Sequence, residues 1–297
     1  GIDDGVVTIR INRDVLEGDD YNVNNLVTEK INALFGVNNP TQLADHVMYC
    51  HPEGTMNGIA YAYVNSWLSV YQNTWCNSVS GQMHELGHNL GYAHSGEGSQ
   101  SYDDQSGMMG YSYGNENSPR MCFNAAKSWQ TGWYSTKSTT VVPGATDGTG
   151  CFDQDLYGIA DFDKDIAQTV LVKINDSSSD DFYVTFNRQE GVNTQTQEAA
   201  NQVTVVTAGG EGNSYSESTL LCKMSANASP CIVQAGGKSM HVKVSSITIN
   251  GARVVISEGG VGCGTSPTTP LPTRQPTKQP TDAPVAPTPS PTPLPTP

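Results

Sequence analysis

Apolar and polar positions alternate with two different periods along the chain, and the change of period falls near its middle. Residues 5–12 (GVVTIRIN) alternate and are β-branched, which predicts a strand. Val23, Leu26, Val27, Ile31, Leu34 and Phe35 then recur at helical spacing, with Gly36 as the stop. Residues 45–50 and 58–71 predict strands, the second unusually aromatic with Tyr61, Tyr63, Trp67 and Tyr71. A second helix is expected from Ser78 or Ser80, either of which can cap it, to about Leu90. A loop rich in Gly, Ser and Asp covers 95–117. A third helix is expected over roughly 119–131, with Pro119 near its first turn. Beyond about residue 150 the period is two. Segments 168–174, 182–188, 202–206, 240–249 and 252–257 alternate with no amphipathic helix between them. That pattern predicts a sandwich-like all-β part. The expected fold class is α+β, with an α+β domain over 1–150, a β-rich domain over 151–263 and a separate segment over 264–297.

Composition explains the last segment. Of 17 Pro, 12 lie between Gly264 and Pro297, together with nine Thr. Such a stretch cannot build a core and favours extended polyproline II, so it reads as a disordered linker or stalk, with a wall-associating segment as the alternative. Lys+Arg is 15 against 29 Asp+Glu, a formal charge of −14. This balance repels phosphate backbones and anionic membranes, so neither nucleic acid nor a lipid surface is an expected partner. No run of 18 apolar residues exists to form a membrane-spanning helix. The first residue is Gly1 with no basic-plus-apolar leader, as expected of a mature or clipped form. Seven scattered Cys without a Cys-x-x-Cys pair, much Gly, Ser, Asn and Thr, and a potential glycosylation acceptor at Asn175 suggest a secreted, extracellular protein with disulfides. The short loop between Cys222 and Cys231 is the best local bridge, and an odd count leaves at least one thiol without an internal partner.

One segment carries the chemistry: His84-Glu85-Leu86-Gly87-His88-Asn89-Leu90-Gly91-Tyr92-Ala93-His94. On a helix, His84 and His88 are four apart and face one side, so both imidazoles can reach one metal ion. Glu85 sits beside the first ligand, where its carboxylate can act as general base on a metal-bound water. Gly91 lets the chain leave the helix in a left-handed conformation, so that His94 can return to the metal. Three neutral imidazoles with a fourth position open describe a catalytic Zn2+ site rather than a structural one. Two His that merely sit in a core would leave Glu85, Gly91 and His94 unexplained.

The motif is that of the metzincins, in which a tight turn carries a Met beneath the ligands. Met109 in SGMMGYS is the first choice for that residue and Met108 the second. Tyr111 stands two residues further on. In some metzincins a Tyr at that offset hydrogen-bonds the substrate oxyanion, and a packing Tyr is the alternative. The chain resembles the gametolysin-like metallopeptidases more closely still. The matching segments are HELGHNLGYAHS, SGMMGYS, CFNAAKSWQTGWYS at 122–135 and FYVTFNRQEGVNTQTQEAANQVTVV at 182–206. The resemblance implies a secreted zinc endopeptidase with His84, His88 and His94 as ligands, Glu85 as catalytic base and a β-rich C-terminal part. It implies protein or glycoprotein substrates, with extracellular-matrix or cell-wall glycoproteins among them. No specificity residue can be matched. A monomer is the expected state.

Other candidates carry less. Asp161-Phe162-Asp163-Lys164-Asp165 looks like the start of a Ca2+ loop, but Ile166 and Val172 stand where Gly and Glu are needed, so an acidic turn is the better reading. His46, His51 and His241 lack ligand spacing. Two rival functions stay open: a catalytically silent binding module on the same fold, and a structural wall protein whose Pro/Thr segment is the working part.

Overall fold

Helix α1 (Asp20–Phe35) forms where the helical period predicts it and ends at Gly36, whose φ of 65° lies in the left-handed region. The computed structural model describes residues 4–15, 18–110, 118–164, 167–177, 180–209 and 216–263. Among them, α1 lays Val27, Ile31 and Phe35 on a three-stranded sheet whose core residues are Tyr49, Leu68 and Val70. The sheet comprises β1 (Val47–His51), β2 (Ala60–Ala62) and β3 (Leu68–Gln72), in the order β1-β3-β2. β1 runs parallel to β3, and β2 antiparallel to it. The single strand expected over 58–71 is therefore a hairpin. Asn65, at φ 51°, makes the reversal, and its N–H donates to the carbonyl of His88. Residues 7–11 form no strand. Ile9 packs on the core, but Val6 is 68% exposed, and a β-branched run becomes a strand only where a neighbouring edge accepts its ladder.

Helix α2 (Val79–Asn89) is capped by Ser78, whose Oγ accepts from Gly81 N–H. At its other end, the Asn89 amide donates to the carbonyls of Tyr63 and Leu68, fixing the helix to the β2–β3 hairpin. The Cys50–Cys76 disulfide ties β1 to the segment just before α2. Helix α3 (Ala125–Gln130) is shorter than expected. Asn124 caps it, and the chain from 118 to 124 is spent on other partners. Cys122 N–H donates to Asn193 Oδ1, and Cys122 O accepts from Met108 N–H. Pro119 consequently lies outside the helix.

The remaining strands build two larger sheets. One has six strands in the order β4-β10-β9-β8-β7-β5: β4 (Ser95–Glu97), β5 (Ser138–Val141), β7 (Leu171–Ile174), β8 (Asp181–Asn187), β9 (Gln202–Ala208) and β10 (Ser218–Met224). The other has four in the order β11-β12-β13-β6: β6 (Phe152–Leu156), β11 (Cys231–Ala235), β12 (Lys238–Ile247) and β13 (Ala252–Glu258). One apolar cluster joins Val172, Val184 and Val205 of the first to Val242, Val254 and Ile256 of the second. The opposite face of the six-stranded sheet receives Ala125 and Ala126 of α3. The architecture is α+β. β4 and β5 precede position 150 yet pair in parallel with β10 and β7, so two ladders tie residues on either side of that position into one sheet. Cys222–Cys231 is bridged as expected, and Cys151–Cys263 joins the ends of the β-rich part. Cys122 is a free thiol, pushed up to about 12 by burial. The Pro/Thr-rich segment 264–297 lies outside the described residues.

Asp161, the first carboxylate of the suspected Ca2+ loop, is already engaged. Arg188 Nη1 donates to both of its oxygens (2.8 and 2.9 Å), and Lys164 Nζ lies 2.8 Å away. Nothing in this arrangement supports Ca2+, and Asp165 lies outside the described residues. Burial alone would raise the Asp161 carboxyl, but hydrogen bonds from Lys164 and Arg188 outweigh it and hold the group below its ordinary value. A depressed folded pKa means stability that is present above about pH 4 and lost as pH falls through the folded value. Asp161→Asn removes the carboxylate that Arg188 and Lys164 share, leaving Arg188 with Glu190 alone, and should cost about 1–3 kcal/mol at pH 7. The gap to wild type should narrow below about pH 4. Urea unfolding at pH 7 and at acid pH reads both, and an equal gap at both pH values contradicts the assignment.

Candidate metal centre

The ligand geometry starts from α2. His84 and His88 are successive residues of its inner face, with ring centroids 4.9 Å apart. Each ring is aimed by a backbone carbonyl: His84 Nδ1 donates to Met108 O (2.8 Å) and His88 Nδ1 to Tyr92 O (2.7 Å). With Nδ1 protonated and donating to a carbonyl, Nε2 is the nitrogen of each ring that carries the lone pair a metal needs. The helix ends at Leu90, and Gly91 takes φ 93°, as its place in the motif requires. The chain doubles back, with Tyr92 N–H on Gly87 O, and brings His94 Nε2 to 3.2 Å from His88 Nε2. The ligand atoms of His84, His88 and His94 all lie within 4.8 Å of one another. Three imidazole nitrogens converging on one point are a donor set that fits a metal.

Electrostatics agree. Burial, then the neighbouring His88, hold His84 down to about 3 and His94 to about 4, and burial lowers His88 as well. All three rings are neutral at physiological pH, the state that binds metal. Glu85 is 4% exposed, and burial raises its carboxyl to about 8. A dication nearby favours the carboxylate instead. Among the described residues, no other group of three His, Cys, Asp or Glu converges in this way. His51 is engaged elsewhere, hydrogen-bonded to Asn24 in the first core.

The segment carrying Met108 and Met109 lies against α2. Met108 and Met109 are both fully buried, and Met108 supplies the carbonyl that aims His84. The Met109 side chain lies directly against α2: a Cβ on Gly87 would stand 2.4 Å from Met109 Sδ. A side chain at 87 would therefore have to displace the buried Met109 thioether. Tyr111 lies outside the described residues. Pattern reading missed Tyr102, whose ring sits 4.0 Å from that of His94 and is 39% exposed. It belongs to no motif; a loop folding over the third ligand puts it there.

A buried three-imidazole cluster with a buried carboxyl next in sequence to its first member is a donor set of the kind metal-dependent hydrolases use. The family model of the gametolysin peptidase M11 matches residues 21–230, which is 210 of the 297 residues, and the chain belongs to that family. It is a metallopeptidase. Neither the curated proteins nor the solved structures returned a match.

Gly87→Ala tests the packing under the ligands. Alanine gains about 0.5–1 kcal/mol in a helix, but overpacking costs about 1–3 kcal/mol, so a net loss of stability is expected. A variant at least as stable as wild type in urea would contradict the close packing of Met109 on α2.

Proposed function

We propose that the chain is a secreted, zinc-dependent endopeptidase of metzincin architecture. A peptidase part over 1–150 precedes a sandwich-like β part over 151–263 and a Pro/Thr-rich stalk over 264–297. The observation that carries this reading is the convergence of His84, His88 and His94, all neutral and the first two oriented by carbonyls, with buried Glu85 next to His84 in sequence. Zn2+ suits three imidazoles, and when bound there it polarises a carbonyl and acidifies water. Glu85 is the general base: its carboxylate takes a proton from the attacking water and delivers it to the departing amine. Its burial excludes competing solvent and sharpens that transfer. Tyr111 is the proposed hydrogen-bond donor to the oxyanion. The β2 edge (Ala60–Ala62) is open to an extended substrate backbone. Substrates are proteins or glycoproteins, with those of extracellular matrix or cell wall as the favoured class. The three disulfides among the described residues support an oxidising, extracellular setting.

Purified protein should cleave denatured casein, lose the activity to a zinc chelator and regain it on Zn2+ addition. Glu85→Gln should keep zinc and lower turnover by about 10²–10⁴-fold. Full turnover in that variant, with zinc bound, would remove Glu85 from the mechanism.

A further inference from the structure

Helix α2 fixes two imidazoles by its own period, but the third depends on whatever holds residues 94 and 95. The His94 carbonyl accepts from Ser218 N–H (3.1 Å), and Ser95 N–H donates to Met109 O (2.9 Å). Ser95 Oγ lies 2.9 Å from Ser218 Oγ and 3.1 Å from Asn124 Nδ2. The same amide nitrogen reaches Ser218 Oγ (2.9 Å) and Asp104 Oδ2 (2.8 Å), and Asp104 Oδ1 accepts from Ser106 N–H. Ser95, Asp104 and Ser218 are fully buried, and Asn124 is 4% exposed. Lys127, one turn along α3 and fully buried, donates Nζ to Ser216 O (3.2 Å). The start of β10 is thus fastened both to α3 and to the residues carrying the third ligand, across 123 positions of sequence.

Strand pairing alone does not require this cluster. A parallel ladder between β4 and β10 is made by backbone groups, and Ser, Asn and Asp side chains buried at its first step add desolvation cost unless all are satisfied. Here they satisfy one another, and they do so at the residue beside His94. We propose that Ser218 and Asn124 are positioning residues for the third metal ligand, so that β10, in the β-rich part, completes the metal site. This rests on the reading of His84, His88 and His94 as metal ligands. Without the Ser218 hydroxyl, Ser95 loses a buried partner and the third imidazole is less firmly placed, while α2 still presents the other two.

The test is Zn2+ affinity of the full chain, measured by competition with a chromophoric chelator, beside urea unfolding of the metal-free protein. Ser218→Ala should weaken Zn2+ binding roughly tenfold or more. Ser218→Thr keeps the hydroxyl and should stay within about twofold of wild type, as should Thr219→Ala on the same strand. Asn124→Ser keeps a cap for α3 but lacks the amide, and should weaken binding as Ser218→Ala does; it carries the comparison if that variant does not fold. Lower stability with Zn2+ affinity unchanged in both Ser218→Ala and Asn124→Ser overturns the proposal, because β10 would then be structural only. A wild-type chain that binds no Zn2+ overturns the ligand reading itself, a result distinct from equal affinities in wild type and variants.

Discussion

A single α-helix can aim two imidazoles at one metal ion but not three, and much of this chain's architecture follows from that limit. The third ligand needs a reversal at Gly91, a covering loop and a partner to hold the returning chain. The partner is a strand more than a hundred residues away. The six-stranded sheet therefore reaches from the β-rich part to the metal site, with β4 as its last strand. α3 packs on the same sheet and supplies Asn124 and Lys127 to the junction.

Burial sets the chemistry of the site. Removing water from the imidazoles keeps them neutral, which a metal requires, and removing it from Glu85 makes that carboxyl sensitive to any cation placed beside it. The same low dielectric forces polar groups elsewhere to be matched. Asp161 is enclosed by Arg188 and Lys164, and Asp104 by Ser106 and Asn124. Each is a place where one substitution leaves a buried partner unsatisfied.

The expectations that failed share a cause. The aromatic run at 58–71 has the composition of one strand, but Asn65 breaks it, and its N–H finds the last turn of α2. The helix expected from 119 starts only after Asn124, because backbone groups at 118–124 are taken by the Met turn and by Asn193. Among the described residues, 7–11 join no ladder. β5 and β6 were not anticipated, since STTV and FDQDL are too short or too polar to show a period. In each case a long-range partner outweighed a local preference.

The sequence by itself determined that three imidazoles could meet. Residues four apart on a helix share a face whatever surrounds them, and a Gly three residues on permits the reversal that returns His94, so the ligand set is legible from spacing. It also determined the period-two character of the second half, the stop signal of α1 and the cap of α2, all local properties of the chain. Only the tertiary structure decided that Met108 and Tyr92 lend their carbonyls to His84 and His88, that Tyr102 lies against His94, and that Ser218 N–H holds the His94 carbonyl. Those contacts join residues with no periodic relation, and they exist only once sheet order and register have brought distant backbone into reach.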